Sequence, residues 1–326
     1  MISTALTAQF DLAHPIVLAP MGAISGGRLA AAVSNAGALG LVGGGYGDAA
    51  WVRRELDLLK ASTGRPWGIG FITWSLTAPV LEIALASRPS AVMLSFGDPR
   101  PHAPLIKAAG AKLICQVQDL QGAAIARDCG ADIIVAQGTE AGGHGASRAT
   151  LPLVPAVVDL VAPIPVLAAG GIAEGRGLAA ALMLGAAGAL IGTRFYASEE
   201  ALGSPNAKRR IASAHGDQTL RTRVFDIVRN FAWPEVNTGR AIRNSFLDRW
   251  HGRDDELRAA LKVETPKYWD ASAKGDVDTS VVWASEAVDL IHDIRPAADI
   301  VNGIGTEAAR LLAAGAQLVP ANAGRL

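Results

Sequence analysis

Cysteine is nearly absent from this chain, and charge is scarce. Two cysteines in 326 residues exclude a disulfide-stapled scaffold. Charged residues make up only 18% against 50% apolar, the reverse of a disordered composition. Neither sign of charge is in excess. Thirty basic and thirty acidic residues cancel, so no global field draws the protein onto nucleic acid or an anionic membrane. No group of His, Cys, Asp or Glu has the spacing of a metal site, and no metal is expected. A membrane-spanning run is missing as well. Residues 29–47 are uncharged over 19 positions but contain six glycines, Ser34 and Asn35, which break the continuous apolar stretch of about 20 residues that a span requires. The N-terminus lacks the charged region of a secretory signal. These absences together lead us to expect a soluble protein of the reducing cytoplasm.

Glycine is abundant, at 36 residues, without a collagen-like period. Composition changes near residue 200. Residues 1–200 carry 27 charges and 27 glycines, whereas residues 201–326 carry 33 charges and 9 glycines, with Trp233, Trp250, Trp269 and Trp283 in the second part. The first part repeats one device around Gly37, Gly110, Gly130 and Gly188: an Ala-rich helical run, a glycine, an alanine, then a short apolar run. Glycine favours the position just past a helix end, where the backbone turns left-handed. The pattern predicts eight strands at 15–21, 38–43, 67–73, 91–96, 112–117, 132–137, 165–169 and 189–195, nearly all apolar, as strands covered on both faces should be. Helices fit between them at 27–36, 49–60, 79–87, 103–109, 121–129, 153–161 and 177–184. Alternation of this kind predicts an α/β fold of the TIM-type (β/α)8 barrel, with a doubly wound open sheet as the alternative. Apolar spacing at 208–215, 221–231, 239–250, 256–262 and 285–293 predicts a second, smaller helical subdomain after strand 8. The expected division is a barrel over 1–215, a helical lid over 216–301 that covers the barrel mouth with Trp233, Phe246 and Trp250, and a last helix at about 302–326 returning to the barrel.

Barrel enzymes place their chemistry at the carboxyl ends of the strands. Gly170-Gly171 follows strand 7, and Gly192-Thr193 lies in strand 8. Together they offer close backbone approach and one hydroxyl where barrels commonly bind phosphate, a reading we prefer to tight turns alone. His144 is the sharpest single residue. It sits in the glycine-flanked stretch Gly142-Gly143-His144-Gly145, with no apolar period to make it a core histidine, and an imidazole there can donate a hydrogen bond or take a proton near neutral pH. The sequence alone leaves it between that role and an ordinary surface loop. Several motifs fail. Arg28 and Leu29 stand where a P-loop needs Lys and Ser/Thr. Asp48 stands where a dinucleotide fingerprint needs its third glycine. Cys115 and Cys129 are too far apart for a redox or metal pair and read as core thiols.

The stretch Gln137-Gly-Thr-Glu-Ala-Gly-Gly-His144, with 169–177, 191–195 and 96–99 in the same order, resembles the nitronate monooxygenase family, FMN-dependent barrel enzymes formerly called 2-nitropropane dioxygenases. The likeness runs from Pro15 to about Phe195. It implies that Pro20, Met21 and Gly22 line the isoalloxazine, that Gln116 and Gln137 hydrogen-bond the flavin, and that Gly142 brings backbone close to it. It implies that Gly170, Gly171, Gly192 and Thr193 hold the FMN phosphate and that His144 is the active-site histidine. The sequence departs from many relatives at Gly145-Ala146, where they carry a further glycine after a variable residue, and at Gln116, where some carry Lys. The implied reaction is oxidation of an alkyl nitronate, or a nitroalkane, by O2 to a carbonyl compound and nitrite. The implied partners are that small molecule and O2, with a homodimer left open. Two alternatives stand beside this reading: an NAD(P)H-dependent quinone or enoyl-thioester reductase on the same barrel, and a non-flavin phosphate-binding isomerase or aldolase.

Overall fold

The computed structural model describes residues 2–315. A short helix, Ala5–Phe10 (α1), precedes the first strand, Ile16–Leu18 (β1). Helices and strands then alternate: Gly27–Asn35 (α2), Gly40–Gly45 (β2), Ala49–Ser62 (α3), Trp67–Ile72 (β3), Ala78–Ala86 (α4), Ala91–Ser95 (β4), Ala103–Ala108 (α5), Lys112–Val117 (β5), Leu120–Asp128 (α6) and Ile133–Gln137 (β6). After a small strand, Gly143–Gly145 (β7), come Thr150–Val161 (α7), Val166–Ala169 (β8), Gly175–Met183 (α8), Gly188–Ile191 (β9) and the single turn Thr193–Tyr196 (α9). Three of the four glycines of the repeated device behave as expected, whereas Gly188 opens β9 and the left-handed turn after α8 falls at Gly185, with φ of 90°. Gly37, Gly110 and Gly130 have φ of 84°, 77° and 71°, just past the ends of α2, α5 and α6.

Eight strands pair in parallel in the order β1-β9-β8-β6-β5-β4-β3-β2. The two ends of that order meet. Val17 bridges Leu39 in parallel, with Leu18 N donating to Leu39 O at 2.9 Å and Leu39 N to Ile16 O at 3.0 Å. This contact decides for a barrel over an open sheet. Strand alternation sends two sets of side chains to opposite faces. Val17, Leu41, Met93, Ile114, Val135, Leu167 and Leu190 form the inner core, and Leu6 and Phe10 of α1 join them. The other set packs outward against the helices, with Leu29, Leu56, Leu81, Ile106 and Leu178.

The chain after α9 is helical in large part: Pro205–Ser213 (α10), Val224–Arg229 (α11), Ser245–Trp250 (α12), Asp254–Ala273 (α13) and Ala297–Gly315 (α14). It also contains two strands where sequence spacing predicts helix, Thr219–Thr222 (β10) and Thr238–Ile242 (β11). They form an antiparallel sheet in the order β10-β11-β7. The partner that makes β11 a strand lies far upstream in the His144 loop, beyond the reach of any local periodicity. The expected helix at 285–293 is a 3-10 turn, Glu286–Leu290. Helix α14 packs on α8 and α2; the part of the expected last helix beyond residue 315 lies outside the described residues. Among the described residues no helix is long and apolar enough to cross a membrane.

Candidate active site

The barrel mouth is built by extending each strand's alternation one step past the inner core. That step places Ala19, Gly43, Ser95, Gln116, Gln137, Ala169 and Gly192 in one upper ring. Five of these are small, and two are carboxamides. The chain leaving β1 crosses the β2–β3 side of this ring. A Cβ on Gly70 would lie 2.2 Å from Pro20 Cγ, and one on Gly43 would lie 2.2 Å from Met21 O. The glycine run that fails as a dinucleotide fingerprint therefore provides the room that Met21 and Gly22 occupy, and Gly70 of β3 provides that for Pro20.

On the β8–β9 side, Gly170 and Gly171 have φ of 100° and 76°, conformations that L side chains rarely adopt. Thr193 opens α9, whose first-turn N–H groups have no intrahelical acceptor. Ser285, from the segment after β11, ties these loops together. Its N–H donates to Thr193 Oγ1 at 3.0 Å, its hydroxyl donates to Glu140 O at 2.7 Å, and Gly171 N donates to its Oγ at 3.3 Å. Gly142 serves the same junction, since a Cβ there would lie 2.5 Å from the carbonyl carbon of Ala284. Its close approach is made by the 284–285 backbone.

His144 lies on β7, which pairs with β11 through His144 and Gly239. Gln137 Nε2 donates to His144 O at 3.0 Å, and Gln118 Nε2 donates to Gln137 Oε1 at 2.9 Å. The imidazole segment is thereby tied to the upper ring. The ring nitrogen Nε2 lies 2.9 Å from both carboxylate oxygens of Asp226 on α11. Both side chains are buried, at 8% and 5% exposure. Trp233 stacks on the imidazole at 3.5 Å between centroids and 4° between planes, and Trp283 and Phe96 flank it. Tyr46 receives the Trp233 indole N–H at 2.9 Å. Burial pushes the His144 basicity down, and its hydrogen bond and attraction to Asp226 oppose this without overcoming it. Arg229 and Arg221 add to the depression.

Arg221 and Arg240 face each other across β10 and β11. Each donates to Thr139 O, at 3.0 and 3.1 Å, so the loop after β6 is clamped to the post-barrel sheet. Arg240 also pairs with Glu286 at 2.8 Å. Burial next to a like charge lowers Arg221 to about 10. It donates in addition to Thr238 Oγ1 and Thr238 O.

The structure thus brings His144, Gln137, Gly142, Gly170, Gly171 and Thr193 together through direct hydrogen bonds or shared neighbours, and places Pro20, Met21, Gly22, Gln116 and Gly192 on the same mouth. Among the described residues no cluster suits a metal ion. Cys115 is buried and pushed up to about 12, a core thiol. Of the aromatic bulk expected over the mouth, Trp233 reaches His144, whereas Phe246 and Trp250 pack in a separate cluster with Phe225, Leu257 and Tyr268. Sequence reasoning missed Asp226, Ser285, Arg221, Arg240 and Thr73. The first four sit in stretches without a motif and reach the site only through long-range pairing. Thr73, at the carboxyl end of β3, is a buried hydroxyl whose Oγ1 has no hydrogen-bond partner among the described residues. Leaving such a group unpaired costs about 1–3 kcal/mol, and a polar ligand edge at the mouth would satisfy it.

A parallel barrel with these groups converging on its carboxyl end is the architecture of a (β/α)8-barrel enzyme. Comparison with known proteins narrows this class. The family model described as nitronate monooxygenase matches residues 3–79 and 72–307, and the chain belongs to that family of oxidoreductases. A nitronate monooxygenase of Neurospora crassa is 34% identical over 343 residues, covering 90% of this chain and 89% of the relative. A (3aS,4S,5R,7aS)-5-hydroxy-7a-methyl-1-oxo-octahydro-1H-indene-4-carboxyl-CoA dehydrogenase of Rhodococcus jostii is 30% identical, covering 94% and 96%. Among solved structures, FabK from Thermotoga maritima superposes with a TM-score of 0.88 at 29% identity, covering 98% and 100%. A nitroalkane oxidase from Streptomyces ansochromogenes superposes with 0.82 at 28% identity, covering 95% and 99%.

Proposed function

We propose that this protein binds FMN at the barrel mouth and oxidises alkyl nitronates, with O2, to a carbonyl compound and nitrite. The observation that carries this reading is the placement of His144: its backbone is tied to Gln137 of the upper ring, and its imidazole is held by Asp226 and Trp233. The residues present fit a flavin mononucleotide. The backbone N–H groups of Gly170, Gly171, Gly192 and Thr193 would hold the phosphate, with Ser285 closing the pocket. Pro20, Met21 and Gly22 would lie along the ring, Gln116 and Gln137 would hydrogen-bond its edge, and the unpaired Thr73 hydroxyl supports a polar ligand there. Bound FMN supplies electron transfer between the nitronate and O2. The protein's own part is to orient the substrate through His144 and to exclude water with Trp233, Phe96 and Trp283, which strengthens electrostatics at the site. The Gly142 approach and the Arg221–Arg240 clamp hold the post-barrel segment over the mouth.

The Rhodococcus relative favours a second reading, an NAD(P)H-linked oxidoreductase acting on a thioester substrate. One experiment separates the two. Purified protein should show a flavin spectrum, heat should release FMN, and anaerobic ethyl nitronate should bleach the flavin while NADH does not. Rapid bleaching by NADH with none by nitronate would transfer the assignment to the second reading. A colourless protein that takes up no FMN would overturn both.

A further inference from the structure

The room beside His144 is set largely by one side chain. Tyr46 follows β2, Trp74 follows β3 and Phe96 follows β4, so three adjacent strand ends bring aromatic rings to one side of the mouth. Trp233, from the segment between α11 and β11, is inserted among them. Its ring meets those of Tyr46, Trp74 and Phe96 edge to face, at 6.3, 5.6 and 5.0 Å between centroids. Its indole N–H donates to the Tyr46 hydroxyl at 2.9 Å, and only 8% of the residue is exposed. Phe231 stacks on Tyr46 from the other side, at 4.4 Å. Phe96 has φ of 60°, a left-handed conformation that a bulky residue keeps only where its surroundings fix it. Packing and a hydrogen bond thus hold Trp233 as a rigid wall. Its 3.5 Å separation from the imidazole is ordinary van der Waals contact, so nothing enters between the two rings. Asp226 takes the Nε2 edge, and Trp283 lies 5.2 Å from the imidazole between centroids.

We propose that Trp233 is a specificity-determining residue that limits substrate size: the site takes nitronates with a short linear alkyl chain and rejects those carrying a phenyl group on the reacting carbon. This rests on the nitronate-oxidising reading above. The limit is steric. Extra carbon atoms against a well-packed apolar wall force side chains out of their preferred conformations, and that opposes binding. The indole itself imposes it. An indole is larger than a phenyl ring, so its removal leaves room for one. The walls that remain, Tyr46, Trp74 and Phe96, are aromatic, and an apolar cavity of sufficient size admits benzene. No bond is made or broken by Trp233 in this role.

The test compares the wild type with Trp233→Ala, both flavin-loaded, on ethyl nitronate and on the nitronate of phenylnitromethane. Calorimetry measures in parallel the binding of propionate and phenylacetate, unreactive carboxylates of the same two shapes. In the wild type, kcat/KM should be at least about tenfold lower for the phenyl substrate, and phenylacetate should bind at least about tenfold more weakly than propionate, as overpacking predicts. In Trp233→Ala both ratios should move towards the phenyl compound by at least about tenfold. A wild type that accepts the phenyl compounds as well as the small ones would overturn the proposal, whether or not the variant folds. Unchanged ratios in a folded variant would overturn it too. If the carboxylates follow the expected order while neither nitronate bleaches the flavin, the size limit stands and the nitronate reading fails.

Discussion

At the scale of single residues, the proposed function turns on His144. Its backbone hydrogen bond to Gln137 does not depend on the side chain. His144→Ala should therefore keep FMN content and lower turnover by about 10² or more. His144→Asn should recover part of that loss if the role is hydrogen bonding and little if a proton must move. Flavin absorbance together with nitrite release checks both variants. The pH dependence follows from burial. The folded imidazole is less basic than the usual histidine value of 6.5, so it stays neutral down to lower pH. With a nitroalkane substrate, kcat/KM should rise with pH through a midpoint below 6.5 and be level by neutrality; a limb centred above 6.5 would contradict the assignment. The same depression acts on stability. As pH falls below 6.5 the unfolded chain takes up a proton that the folded site resists. His144 therefore lowers stability progressively from 6.5 down to its own folded value, and has no such effect above 6.5.

At the scale of elements, the decisive feature is the sheet that β10 and β11 build onto the His144 loop. The pairing of Gly239 with His144 leaves little space, because a Cβ on Gly239 would lie 2.4 Å from the Trp283 ring. Trp283 in turn sits 5.2 Å from the imidazole between centroids. Gly239→Ala should thus force Trp283 towards His144. Overpacking of this kind costs about 1–3 kcal/mol. We expect a melting temperature lower by several degrees and a fall in kcat at unchanged FMN content. Calorimetry and steady-state kinetics on one preparation check this. A normal kcat with a lowered melting temperature would show that Trp283 moves away from the site.

For the whole molecule, the parallel barrel is one continuous structure because β1 meets β2, and α14 adds a clasp on its outside. Glu307 Oε2 accepts from Gly175 N at 2.8 Å, and Asn302 Oδ1 lies 3.3 Å from His14 Nε2. Gly305 permits the approach, since a Cβ there would lie 2.0 Å from His14 Nδ1. Gly305→Leu should lift α14 from the barrel and broaden or split the thermal transition seen by calorimetry. Turnover at low temperature should survive, because His14 precedes β1 at the end of the barrel away from His144. Loss of activity at low temperature would mean that the clasp also shapes the mouth.

The strands, the helices between them and the glycines that end those helices were legible in the sequence. Each depends on contacts within a few residues: period-two burial, a left-handed turn, an Ala-rich run. The same local logic placed Gln116, Gln137, Gly170, Gly171, Gly192 and Thr193 at strand ends and singled out His144 between glycines. Tertiary structure decided the rest. Closure of the sheet rests on Val17 meeting Leu39, which alternation does not specify. Thr219–Thr222 and Thr238–Ile242 are strands because β7 offers β11 an edge, although β7 lies more than ninety residues before it in the chain. Asp226, Trp233 and Ser285 look ordinary in sequence and gain their roles only when folding carries them to residues far away in the chain. The amino-acid order determined the scaffold and set His144 between glycines at its mouth. The fold alone determined which carboxylate orients it, because that choice is made by packing across distance.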